Sequence, residues 1–167
     1  GRLDTNCKEP KGLLAQYYRL GTSKSALRAG ASVLLIERFD PTSAAEAIAN
    51  HGVTVSAGAP SMWAAWVATP GVEREHFGSV RIATSGAARL EPDTARQVRE
   101  RFGIEVQEGY GLTEASPVVT ATVGLPWHPG SIGAPVDGVE LRLVDADGED
   151  VLVGDPGELW VRGPNVF

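Results

Sequence analysis

Val80-Arg81-Ile82-Ala83-Thr84, then Pro92 to Gly103, then Ile104-Glu105-Val106-Gln107 follow one another along the chain, and this stretch decides the fold. Val80, Ile82 and Thr84 put β-branched residues at alternate positions, which favours extended backbone. Pro92 suits the first turn of a helix, where no amide donor is needed. Ala95, Val98 and Phe102 stand at i, i+3 and i+7 and share one helical face. Gly103 can end that helix, because glycine adopts a left-handed cap at no steric cost. The third block returns to strand. Strand, helix and strand in this order predict parallel neighbours joined by a right-handed crossover.

Working towards the N-terminus, the same alternation recurs. Val53-Thr54-Val55-Ser56-Ala57 reads as a strand, and Pro60 to Ala68 as a helix whose apolar content is Met62, Trp63, Trp66 and Val67. Asp40-Pro41 supplies an N-cap and a first-turn proline for an earlier helix, with Ala44, Ala45 and Ile48 on one face and Gly52 at its end. Val33-Leu34-Leu35-Ile36 is a continuous apolar run, as expected of a strand covered on both faces. Residues 1–25 are polar, without a clear period, and read as an irregular N-terminal segment. Residues 26–125 therefore form an α/β nucleotide-binding subdomain in this reading: a mostly parallel sheet with flanking helices.

Towards the C-terminus the texture changes near Pro126. Val139-Glu140-Leu141-Arg142-Leu143-Val144 alternates as a half-exposed strand does. Asp147-Gly148 and Asp155-Pro156-Gly157 read as turns, and Glu158-Leu159-Trp160-Val161-Arg162 as a last strand. Residues 126–167 are expected to form a small antiparallel β lobe, a β-rich subdomain.

The chain has 167 residues, 43% hydrophobic and 22% charged, a balance that supports a packed core. Its formal net charge is -6. Arg96, Arg99 and Arg101 are interrupted by Glu100 and read as a solvated helix face, so nucleic acid is not an expected partner. Cys7 is the only cysteine, which excludes an internal disulfide framework and fits a reducing compartment. No run approaches the roughly 18 apolar residues that span a bilayer. The N-terminus lacks the charged-then-apolar pattern of a signal peptide. A cytoplasmic protein without a transmembrane segment is the expectation.

Parallel α/β sheets bind ligands beyond the carboxyl ends of their strands. Two loops start at such ends: Ser85-Gly86-Ala87-Ala88-Arg89-Leu90 and Glu108-Gly109-Tyr110-Gly111-Leu112-Thr113-Glu114. Small residues at 86 to 88 let backbone groups approach a flat ligand closely. Tyr110 offers a ring for stacking, and Gly109 and Gly111 permit backbone conformations that bulkier residues resist. Thr113 can donate a hydroxyl to a phosphate oxygen, and Glu114 offers the anionic oxygen that Mg²⁺ prefers. Together they suit Mg-ATP. Other readings stand beside this one. Gly109-x-Gly111 can make a tight strand-to-helix turn with no ligand, and Thr113 can cap a helix with Glu114 in its first turn. A dinucleotide fingerprint is disfavoured, because Glu114 replaces its third glycine and the motif does not follow the first strand.

Tyr110-Gly111-Leu112-Thr113-Glu114 resembles the core motif of the adenylate-forming superfamily, which includes acyl-CoA synthetases, luciferases and the adenylation domains of peptide synthetases. Ser85 to Leu90 resembles that family's adenine-contacting loop. Gly130-Ser131-Ile132-Gly133-Ala134-Pro135 resembles its Gly-x-x-Gly-x-Pro segment, and Gly157 to Gly163 its Gly-Glu-Leu-x-(Val/Ile)-x-Gly strand. The likeness covers residues 26 to 167, and its texture is most similar to bacterial fatty-acyl-CoA ligases. It implies an ATP-dependent acid–thiol ligase. A carboxylic acid, here a fatty acid, attacks the α-phosphorus of ATP to give acyl-AMP, and the thiol of coenzyme A displaces AMP. It implies that Gly86, Ala87, Ala88 and Arg89 contact adenine and that Gly109, Tyr110, Gly111 and Leu112 frame it. Thr113 then holds phosphate, Glu114 binds Mg²⁺, and these two are the catalytic pair. The helix of Trp63 and Trp66, with Ser116-Pro117-Val118, borders the acyl pocket; ordinary core packing is the alternative for the tryptophans.

The departures from the family pattern are specific. Thr5-Asn6-Cys7-Lys8-Glu9-Pro10-Lys11-Gly12 stands where the family has a Ser/Thr/Gly-rich phosphate loop ending in Pro-Lys-Gly, and the distance from Lys11 to Ala26 is short for the family. Arg89 stands where proline is common. The Arg-x-Gly-Asp segment and the C-terminal domain with its catalytic lysine are not in this sequence. The expectation is a central piece of such an enzyme, with weak or no complete catalysis by itself. The alternative is a non-catalytic nucleotide-binding or structural remnant. Missing segments would also leave apolar surface exposed, which favours a homo-oligomer.

Overall fold

The computed structural model describes residues 12–15 and 28–167. A sheet of seven strands organises them. In chain order these are β1 (Gly12–Ala15), β2 (Ser32–Leu34), β3 (Val53–Gly58), β4 (Ile82–Ser85), β5 (Val106–Gly111), β6 (Val118–Ala121) and β7 (Ala134–Pro135). The spatial order is β2-β1-β3-β4-β5-β6-β7. Pairing is parallel from β2 across to β5 and antiparallel from β5 to β7. The remaining strands, β8 (Glu140–Val144) and β9 (Glu158–Arg162), form a separate antiparallel pair. The architecture is thus the expected α/β sheet with flanking helices and a small antiparallel lobe.

The parallel strands are accompanied, among the described residues, by α1 (Pro41–Asn50), α2 (Pro60–Ala68) and α3 (Pro92–Phe102). Each starts on a proline, as the sequence predicts. Asp40 caps α1 by accepting the Ser43 N–H at 2.9 Å, and so satisfies one of the amides a helix start leaves open. Gly103 ends α3 in the left-handed conformation, φ 74, with its N–H donating to Arg99 O at 2.9 Å. Ala44, Ala45 and Ile48 of α1 and Ala95, Val98 and Phe102 of α3 are buried. The predicted apolar faces are the faces that pack.

The core runs through aromatic rings. Trp66 makes edge contacts with Phe39, Trp63 and Phe77, at centroid distances of 5.3, 5.0 and 5.3 Å, and Phe77 continues to Phe102 at 4.7 Å. The indole N–H groups are satisfied: Trp66 donates to Pro41 O at 2.9 Å and Trp63 to Thr84 O at 3.3 Å. Arg101 of α3 donates to the carbonyls of Val67 and Thr69 and so caps the end of α2.

The strands depart from the sequence reading in several places. Gly12–Ala15, inside the segment read as irregular, is a strand within the sheet. The run from Val33 to Ile36 is strand only as far as Leu34: Val33 and Leu34 are each half-buried, Leu35 is 70% exposed, and among the described residues β2 pairs only with β1. The break read at residue 126 falls between β6 and β7, which share the large sheet. The segment from Glu108 is not a loop until Gly111 has passed, because β5 runs on through Gly109 and Tyr110. The reason is β6, whose β-branched Val118, Val119 and Thr120 offer β5 a second partner.

Candidate functional site

β5 changes partner along its length, and the site grows from that change. Its first half pairs in parallel with β4, with Val106 opposite Ala83 and Glu108 opposite Ser85. Its second half pairs with β6, with Gly109 opposite Ala121 and Tyr110 opposite Thr120. Neither Gly109 nor Gly111 has a positive φ. A Cβ on Gly109 would meet Thr120 O at 2.9 Å, and one on Gly111 would meet Pro117 O at 1.9 Å. The glycines admit a neighbouring backbone at close range, which corrects the expectation that they serve unusual backbone angles.

Two buried threonines lock this junction. Thr120 Oγ1 accepts from Tyr110 N–H at 3.3 Å and donates to Ile132 O at 2.5 Å. Thr122 Oγ1 accepts from Glu108 N–H at 2.8 Å and lies 2.8 Å from Gln107 Oε1. Glu108 carries its side chain away to two other segments: its carboxylate accepts from Leu90 N–H at 3.3 Å and Gly130 N–H at 3.2 Å. The sequence reading missed Glu108, Thr120 and Thr122. The run Val118-Val119-Thr120-Ala121-Thr122 was the available signal, since it has strand composition.

A cavity of about 660 Å³ opens at the carboxyl ends of β3, β4 and β5, where a parallel sheet is expected to receive a ligand. Gly86 and Ala87 line it, as do Gly109, Tyr110, Gly111, Leu112 and Thr113. The structure thus brings the two predicted loops to one concavity. Ala88 and Arg89 are exposed and stand outside the lining, and so does the exposed Glu114, one residue beyond Thr113. Ser116, Pro117 and Val118 also line the cavity. Trp63 and Trp66 do not: both are fully buried in the core, so packing is their role. The Ser85 hydroxyl, on the lining, is buried with no hydrogen-bond partner among the described residues.

Thr113 opens a 3-10 turn, Thr113–Ala115, whose N-cap is Leu112 with no side-chain cap bond. The reading of Thr113 as a helix cap is therefore replaced by a turn. Tyr110 packs against the small cluster of Ala115, Val119 and Val139 that joins β6 to the β8–β9 pair. The segment after β9 returns to the same turn: Asn165 Nδ2 donates to Ala115 O at 2.8 Å and Val118 O at 3.0 Å, and Phe167 N–H donates to Glu114 O at 3.1 Å. The family-like phosphate segment, Thr5 to Gly12, lies outside the described residues except for Gly12.

A profile of AMP-binding enzymes matches residues 21–167. The chain belongs to the AMP-binding enzyme family. It is 35% identical over 139 residues to a long-chain-fatty-acid–CoA ligase of Yersinia pestis, which is 83% of this chain and 25% of that ligase. It is 38% identical over 149 residues to 4-coumarate–CoA ligase 2 of Oryza sativa subsp. japonica, covering 85% of this chain and 26% of the relative. The crystal structure of ATP-bound MatB from Rhodopseudomonas palustris superposes with a TM-score of 0.86 at 30% identity, over 95% of this chain and 33% of that one. The chain therefore spans about a quarter of the length of the ligases it matches.

Among the described residues, no helix is long and apolar enough to cross a membrane. Among them too, no group of three or more His, Cys, Asp and Glu side chains is arranged to hold a metal ion.

Proposed function

We propose that this chain supplies the adenine-nucleotide site of an ATP-dependent carboxylate–CoA ligase. The observation that carries this reading is the convergence of Gly86, Ala87, Tyr110 and Thr113 on one cavity at the carboxyl edge of the sheet. In the proposed reaction a carboxylate oxygen attacks the α-phosphorus of ATP, and pyrophosphate leaves. The thiol of coenzyme A then attacks the acyl carbon and AMP leaves.

Each residue has a separate task in this reading. Gly86 and Ala87 present backbone to the edge of adenine, with Ala88 and Arg89 flanking on the solvent side. Tyr110 stacks on the base, between Gly109 and Gly111. Leu112 extends that wall, and Thr113 donates its hydroxyl to a phosphate oxygen. Glu114 would hold Mg²⁺, which supplies charge neutralisation at the phosphates when bound. The chain's own residues contribute mainly position and fixed dipoles, which dominate in transfers of this kind. Leu112, Pro117, Val118 and Val123 give the cavity an apolar side, which suits the hydrocarbon part of a fatty acid. The lone Cys7 agrees with a cytoplasmic setting.

Calorimetric titration of the protein with ATP and Mg²⁺ tests the reading. Binding that Tyr110→Ala weakens by at least tenfold is the expected result. No binding at millimolar ATP would leave the chain as a structural module of the family fold.

A further inference from the structure

Glu108 is held by its backbone and used by its side chain. Thr122 fixes it from one side: Glu108 N–H donates to Thr122 Oγ1 and Glu108 O accepts from Thr122 N–H, both at 2.8 Å. With the backbone pinned, Oε2 reaches Leu90 N–H at 3.3 Å and Oε1 reaches Gly130 N–H at 3.2 Å. Leu90 closes the Ser85–Arg89 loop and is fully buried, whereas Gly130 begins the Gly130–Pro135 segment. A carboxylate is acceptor-only, so each oxygen can serve one amide, and the charge strengthens both bonds.

The loop needs such a hold. Ala87 sits at φ 70, a region that non-glycine residues seldom occupy. Conformations of that kind persist where the surroundings over-determine them. Ala87 also lines the cavity, so any relaxation of the loop reshapes the wall that faces a ligand.

We propose that Glu108 is a positioning residue: its carboxylate clasps the Ser85–Leu90 loop to Gly130 and so fixes the wall on which the adenine ring is received. The inference rests on the nucleotide reading of the cavity. It also carries a consequence of its own, because the clasp exists whether or not nucleotide is bound.

Two measurements on the wild-type protein, Glu108→Gln and Glu108→Ala test it. The first is amide hydrogen exchange at Leu90 and Gly130, with Val98 and Phe102 inside α3 as references. The second is the dissociation constant for ATP. In Glu108→Ala both amides exchange at least about tenfold faster while the references hold, and ATP affinity falls about tenfold. Glu108→Gln keeps one acceptor oxygen, so one amide stays protected and affinity falls less. If the alanine variant exchanges fast throughout, the glutamine variant is judged by the same two amides. Unchanged exchange at Leu90 and Gly130 overturns the clasp. Faster exchange with unchanged ATP affinity overturns the positioning role. A wild-type protein that binds no ATP defeats the nucleotide reading instead, and the exchange rates still decide the clasp, so the two failures are distinguishable.

Discussion

The Cβ position of Gly111 lies 1.9 Å from the carbonyl oxygen of Pro117, closer than any two such atoms can stand. Gly111→Ala must therefore push β6 away from β5. The expected cost is at least about 2 kcal/mol, as for other overpacked sites, read from urea denaturation. Gly109→Ala meets Thr120 O at a less severe 2.9 Å and should cost less. Equal or negligible losses for the two would mean that the strands are not this close in solution.

Trp66 offers a test of packing against substrate contact. It is fully buried, and its N–H donates to Pro41 O. Trp66→Ala is expected to destabilise the fold by about 3–5 kcal/mol. Trp66→Phe should cost less and leave ATP affinity unaltered, since the indole does not reach the cavity. A stable Trp66→Phe protein with altered affinity for an acid or nucleotide would return this residue to the binding site.

Glu114 is exposed, and its backbone carbonyl accepts from Phe167 N–H. Glu114→Gln should thus leave the melting temperature unchanged. Its expected effect is confined to the metal: ATP affinity without Mg²⁺ stays as in the wild type, and about tenfold of the affinity gained with Mg²⁺ is lost. The same loss in the presence and absence of Mg²⁺ would assign the carboxylate a different task.

Asp40 gives the fold an acid-sensitive start to α1. Hydrogen bonds from the Ser43 backbone amide, and then from the Ser43 hydroxyl, hold its carboxyl below the usual carboxylate range. A carboxyl depressed in the folded state binds its proton more readily when unfolded, so its stabilisation is complete above the unfolded value of about 3.9. It fades as pH falls through the lower, folded value. Melting curves of wild type and Asp40→Asn, which also caps well, should therefore differ by a constant amount above about pH 5. Below about pH 4 the wild type should lose ground to the variant. Parallel curves through acid would show that this cap does not titrate as described.

Local rules carried most of the α/β half. Pro41, Pro60 and Pro92 mark helix starts because their ring sets φ and their missing N–H costs nothing there. Ala95, Val98 and Phe102 mark a face because helical geometry fixes their spacing. The two segments that meet at the cavity were legible as well, since Gly86 and Ala87 follow β4 and Leu112 and Thr113 follow β5. What stayed hidden was decided at long range. Nothing near Leu35 in sequence says that, among the described residues, β2 pairs on one side only. The continuation of β5 through Tyr110 depends on Val118 to Ala121, a partner that follows a turn. Glu108 opened the second loop in the sequence without a task of its own, because its amide partners lie 18 and 22 positions away. The tryptophans read equally well as pocket or core, and only tertiary packing separates those.

The crowding at Gly109 and Gly111 also sets an alignment key. Side chains on a strand alternate faces, so a slip of one residue between β5 and β6 would carry the Tyr110 ring to the opposite side of the sheet. Such a slip would also bring the tyrosine's own Cβ towards a carbonyl that only glycine can pass. The strands therefore mate in one way, with Tyr110 opposite Thr120. The ring's address is written when the chain folds, before a ligand has anything to select.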